Sequence, residues 1–196
     1  MSKARCLAVG FGTLAALLAT VSCGGGDGQA VRTVAPGAPG TPMAVSEADS
    51  LWEWVAANSL ECEPILRPTY LPSTLSRVSL QYVDQQRECV LFGIEYSDNA
   101  SKATLLIGGG PWFNPAMPGR ESVQEQLSIR QTTGTYQLQD AADPVGRSFI
   151  TWNERGRWGR PEDSWHRDWV PYLITSTGFP KEELLKVANA LQPVTG

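Results

Sequence analysis

The spacing of hydrophobic residues along this chain changes several times. Residues 7–21 form one apolar run whose only polar members are threonines and glycines. Past Ser46 the spacing becomes helical. Leu51, Trp54 and Val55 make one stripe, with Trp52 pointing elsewhere; Ser46 suits a cap, and Glu47 and Asp49 suit the positive end of a helix. From Val78 the period falls to two. Val78, Leu80 and Tyr82 alternate with Ser79 and Gln81, and Val90, Phe92, Ile94 and Tyr96 alternate again beyond a hairpin loop at 84–87. Further strands are expected at 103–107, 126–131, 135–139, 148–152 and 170–175. Turn signals at 97–99, Gly134, Asp143-Pro144 and Gly178 separate most of them, and a Gly-rich loop is expected at 108–119. A last helix opens at Pro180 with Glu182 and Glu183 in its first turn, carries Leu184, Val187, Ala188 and Leu191 on one stripe, and stops at Pro193. The pattern predicts a single α+β domain over 46–194: an antiparallel sheet of about six or seven strands, with an N-terminal and a C-terminal amphipathic helix, covered on one face and wetter on the other.

The first sixty residues carry an address. Lys3 and Arg5 precede the apolar run, and small residues end it, which is the layout of an export signal over 1–22. At about fifteen residues the run is shorter than the roughly 20 of a spanning helix; an uncleaved anchor is the alternative. Thr20-Val21-Ser22-Cys23 resembles the bacterial lipobox, although Thr20 stands where that motif usually has Leu. The resemblance implies cleavage before Cys23, lipid on its thiol, and an extracytoplasmic protein held to a membrane through that anchor. Cleavage without lipid is the other reading. Residues 23–45, rich first in Gly and then in Pro, hold too few large apolar residues to offset the entropy of ordering, and read as a tether.

Charge and cysteine count narrow the picture. Loss of Lys3 and Arg5 takes the formal net charge from −4 to −6, which argues against a nucleic-acid partner. Cys6 leaves with the signal and Cys23 is taken by lipid, so Cys62 and Cys89 remain. Outside the cytoplasm such a pair reads as a disulfide, worth roughly 3–4 kcal/mol in the chain-entropy account; two buried free thiols are the alternative. Two cysteines and the lone His166 fall short of a four-ligand zinc site, and no metal or cofactor is expected.

Several segments, taken in order, carry a further resemblance. They are Pro68-Thr69-Tyr70-Leu71-Pro72, Leu105-Leu106-Ile107, Phe149-Ile150-Thr151-Trp152-Asn153-Glu154, Tyr172-Leu173-Ile174, and the run from Gly178 through Ala188. This order is similar to an uncharacterised family of bacterial extracytoplasmic domains found in lipoproteins and in sporulation and anti-sigma proteins. Those domains in turn resemble the curved-sheet domains of lipoprotein carriers and sigma-E regulators. The similarity covers about 64–192 and implies a curved sheet and a compartment, with no catalytic residues to carry over. The chain departs from the pattern at 155–169, where the family has a short turn.

Candidate chemistry is sparse. Ser164, His166 and Asp168 have the residue types of a hydrolase triad, but alternate residues of one extended stretch lie about 6–7 Å apart, and no G-x-S-x-G elbow is present. Gly108-Gly109-Gly110-Pro111 lacks the Gly-Lys-Ser/Thr of a phosphate loop. Trp152, Trp158, Trp165 and Trp169 interleave with Arg155, Arg157, Arg160 and Arg167, and Trp112 lies in another loop. Aromatic and Arg side chains make binding hot spots, so Trp112, Arg155, Arg157, Trp158, Trp165 and Arg167 form the candidate binding surface, while Trp152 and Trp169, at strand ends, suit the core. The expectation is a non-catalytic domain that binds an envelope protein or glycan. A carrier of lipid or lipopeptide in an apolar cavity under the sheet is the alternative, and a hydrolase using His166 the weaker one.

Overall fold

The computed structural model describes residues 40–59, 62–86, 89–110, 123–162 and 167–194, with backbone alone at 63, 82–86, 89 and 90. The chain divides into units 1–31 and 32–196, and every described residue belongs to the second.

Eleven strands and two helices follow in order: β1 (Met43–Ala44), α1 (Ala48–Ala57), β2 (Cys62–Glu63), β3 (Leu66–Pro68), β4 (Arg77–Gln86), β5 (Cys89–Ser97), β6 (Thr104–Gly109), β7 (Val123–Ile129), β8 (Thr132–Leu138), β9 (Ser148–Trp158), β10 (Arg167–Thr177), α2 (Lys181–Asn189) and β11 (Leu191–Pro193). The main sheet runs β1-β4-β5-β6-β10-β9-β8-β7, and β2 pairs with the far end of β9. All its pairings are antiparallel. β3 and β11 form a separate two-stranded sheet. The broad α+β class holds.

The strand count is higher than the expected six or seven, because short pairings such as Met43 with Val78 and Leu191 with Pro68 carry no periodicity to read. Nor do the helices flank the sheet. β1 precedes α1 and joins the main sheet, and β11 follows α2. Leu191, expected on the last helical stripe, is buried in β11 instead.

Register fixes the two faces of the sheet. Val78 lies opposite Tyr96, Ile94 opposite Ile107, Ile107 opposite Ile174, and Ile174 opposite Ile150, all buried and all on one face. Both helices pack there. α1 buries Ala48, Leu51, Trp52 and Val55, an i, i+3, i+4, i+7 stripe centred one position away from the expected one. Trp52 is therefore a core residue, edge-on to Phe92 with ring centroids 5.5 Å apart. Ser46 does not cap α1; it sits in a 3₁₀ turn, where the Glu47 carboxylate accepts the Ala44 N–H at 2.9 Å. α2 buries Leu184, Val187 and Ala188. Each large buried side chain contributes about 2–3 kcal/mol by leaving water.

Two turns fall elsewhere than expected. β4 continues through the proposed loop as far as Gln86. Gly134 lies inside β8, where an added Cβ would come within 2.8 Å of the Thr151 carbonyl oxygen and 2.3 Å of Ile129 Cδ1. It is a glycine for close approach. The reversal lies at Arg130, whose φ of 54° is left-handed.

Candidate functional site

The stretch 155–169 is largely a continuation of two strands. β9 runs on to Trp158 and β10 begins at Arg167, so the expected loop is the outer end of a long hairpin, with a register shift between Arg167 and Trp169. Alternation on β10 turns Val170, Tyr172 and Ile174 toward the core. Trp169, Pro171 and Leu173 therefore face the other way.

On that outward face Trp169 lies opposite Arg155, and Pro171 opposite Asn153. Trp169 is 40% exposed, high for a tryptophan, and Arg155 and Asn153 are exposed as well. Opposed side chains of an antiparallel pair have Cβ atoms about 4.5–5.5 Å apart, so the indole and the guanidinium share one patch. The next row crosses four strands, from Leu173 through Thr151 and Thr135 to Gln126. The Gln126 Nε2 donates to Thr135 Oγ1 at 3.0 Å.

Behind the patch, on the core face, the strands are held firmly. Trp152 stacks on Tyr172 with centroids 5.4 Å apart, and its Nε1 donates to Glu154 Oε1 at 2.8 Å. Arg130 Nε meets the same carboxylate oxygen at 2.8 Å. The Tyr172 hydroxyl accepts the Leu66 N–H at 3.0 Å and donates to the Pro64 carbonyl at 2.7 Å. Burial drives the Tyr172 hydroxyl far above the ordinary tyrosine range, with the Leu66 hydrogen bond only partly opposing it, so it stays protonated and structural.

The residues singled out from sequence divide unevenly. Arg155 and Arg167 are exposed and Arg157 is half-buried opposite Glu63. Trp158 is 3% exposed and packs in the core opposite Cys62, so it offers no surface to a partner. Cys62 is fully buried and disulfide-bonded. The backbone of Cys89 opens β5, but its side chain lies outside the described ones. Cys23, Trp112, Trp165 and His166 lie outside the described residues. Trp169 is the residue that sequence reasoning missed; the alternation of Val170, Tyr172 and Ile174 was the signal that pointed it outward.

Among the described residues no group of three or more His, Cys, Asp and Glu side chains gathers as a metal site, and no helix is long and apolar enough to cross a membrane. An open groove of about 390 Å³ lies beside β1, lined by Pro42, Met43, Ala44, Ser76, Arg77 and Asn99.

The chain matches no family model, no curated protein and no solved structure.

Proposed function

We propose that this chain is an extracytoplasmic lipoprotein, anchored through Cys23, whose folded domain is a non-catalytic binding module for a component of the cell envelope. The observation that carries the reading is the exposed Trp169 side by side with Arg155 on the sheet face opposite the helices. An indole left in water gains from being covered, and an adjacent guanidinium adds directional donors, the combination that dominates binding energy at interfaces. The carrier reading has less behind it: the space between α1 and β5 is filled by Trp52, which touches both Phe92 and Tyr96.

Two experiments test the reading on the full-length protein in cells. Labelling with palmitate should mark the wild type and leave Cys23→Ala unmarked; an unlabelled wild type rejects the anchor. A photo-crosslinking amino acid at Asn153 should capture an envelope component, Trp169→Ala should abolish that adduct, and the same probe at Ala141 should capture nothing. An adduct indifferent to Trp169 rejects the binding surface.

A further inference from the structure

We infer that the outward face of β7–β10 is a platform for a neutral glycan strand, with Trp169 stacking on a sugar ring. The inference rests on the reading of the domain as a binding module and names its ligand class. Charged residues make up 18% of the chain. Yet the outward positions of Gln124–Ser128, Thr133–Gln137, Phe149–Arg155 and Trp169–Thr175 carry a single charged side chain, Arg155. Thr, Gln, Asn and Ser supply most of the rest.

A hydroxyl or a carboxamide both donates and accepts, which is the hydrogen-bonding character of a sugar hydroxyl or acetamido group. A face of that kind gives little to a polyanion, which needs several cations, and little to an apolar partner, which needs a contiguous apolar patch. The exposed indole supplies what the amides lack, a flat apolar surface for the C–H face of a pyranose ring. Arg155 beside it presents a fork of donors to ring substituents.

The dimensions suit a strand rather than a single sugar. From Trp169 on β10 across β9 and β8 to Gln126 on β7 is three strand spacings, about 14 Å. The platform is also rigid: the Trp152–Tyr172 stack and the Arg130–Glu154 pair lie on its reverse side.

The test uses the full-length protein in detergent, with chitohexaose and cellohexaose as neutral strands and heparin as the polyanion, read by titration calorimetry. Saturable binding of at least one neutral hexamer is expected, weakened roughly tenfold or more by Trp169→Ala and less by Trp169→Phe, which keeps a stacking ring. Gln126→Lys, at an exposed edge position where folding is undisturbed, should weaken the same binding by displacing a neutral contact. Binding to neither hexamer, binding to heparin alone, or neutral binding indifferent to both Trp169→Ala and Gln126→Lys overturns the inference. The Asn153 crosslink separates the two levels: a protein adduct lost in Trp169→Ala, with no glycan binding, rejects the glycan and leaves the binding module standing.

Discussion

The indole N–H of Trp52, on α1, donates to the Tyr96 hydroxyl on β5 across 2.7 Å, with both side chains buried. That bond fixes how the helix sits on its sheet, because the edge-on contact with Phe92 needs the indole in one orientation. Tyr96→Phe keeps the ring and removes the acceptor, leaving a buried donor unpaired. It should cost about 1–3 kcal/mol in urea unfolding of the full-length protein. Trp52→Phe adds lost volume and should cost more, about 3 kcal/mol. Equal stability of wild type and Tyr96→Phe shows that the indole finds another acceptor.

Tyr172 offers a sharper comparison. Its hydroxyl serves two partners, donating to the Pro64 carbonyl and accepting the Leu66 N–H, and so ties the segment entering β3 to the centre of the main sheet. Tyr172→Phe strands a backbone donor and weakens a backbone acceptor together. The loss should exceed that of Tyr96→Phe, at about 2–4 kcal/mol, with hydrogen exchange rising first at Leu66. Uniform loss of protection over the whole domain marks a global effect and defeats this local account.

The parts of the fold that periodicity announces were legible: the alternation of β4 and β5, the buried face of α2, and the existence of α1. What escaped was decided at a distance. β1, β2, β3 and β11 are two or three residues long, and their pairing depends on elements elsewhere in the chain, as Cys62 depends on Trp158. Gly134 looked like a turn because glycine serves turns and close approaches equally, and only the neighbouring Thr151 carbonyl distinguishes them. For the site, residue type pointed to the right stretch, and Arg155 is indeed exposed. Choosing between Trp158 and Trp169 required knowing that both strands continue past the expected loop, with an irregularity between Arg167 and Trp169.

Arg130 joins the β7–β8 turn to the end of the chain. Its Nε meets Glu154, its Nη1 donates to the Leu191 carbonyl, and its N–H donates to Asn189 Oδ1 at 2.7 Å, all from a left-handed backbone that costs a non-glycine residue about 1 kcal/mol or more. Arg130→Ala keeps the backbone cost and loses the side-chain bonds. Arg130→Gly loses the same bonds but relieves the cost, so it should be the more stable of the two by about 1 kcal/mol in denaturant unfolding. The reverse order shows that unfolded-chain entropy outweighs the relief.

Two glutamates should give stability opposite slopes with pH. The Tyr70 hydroxyl donates to Glu183, and this bond, aided by Lys186 at 3.1 Å, holds the carboxyl below its ordinary 4.5. The folded state therefore binds that proton later than the unfolded chain, so the contribution is present above pH 4.5 and lost as pH falls through the depressed value. Glu95 is the converse case. Burial raises its pKa, so the folded state keeps the proton longer and stability declines as pH rises from 4.5 through the raised value. Glu183→Gln should lower the urea midpoint at pH 7 and not at pH 2.5. Glu95→Gln should raise it at pH 7, since the Gln81 Nε2, now 2.9 Å from Glu95 Oε1, still has an oxygen to donate to. Shifts of the same sign at pH 7 refute the assignment.

The disulfide gives the last test, because the geometry around Gly110 favours one partner for Cys62. A Cβ at Gly110 would come within 2.2 Å of Leu91 Cδ1 and 3.3 Å of Trp158 Cη2, so the start of β5 and the far end of β9 converge there. Cys62 lies opposite Trp158, and Cys89 is two residues from Leu91. Of the other cysteines, Cys6 lies in the export signal and Cys23 is claimed by lipid on the reading above. Peptide mapping of the unreduced protein should therefore recover Cys62 linked to Cys89. Cys89→Ser should expose one new thiol at Cys62 and lower stability by about 3–4 kcal/mol, the entropy of the opened loop. Because the Cys62 side chain is fully buried, that thiol should react with a thiol probe only after unfolding. Recovery of Cys62 linked to Cys23 would remove the cysteine that lipid requires and would bring down the anchor and the pairing together.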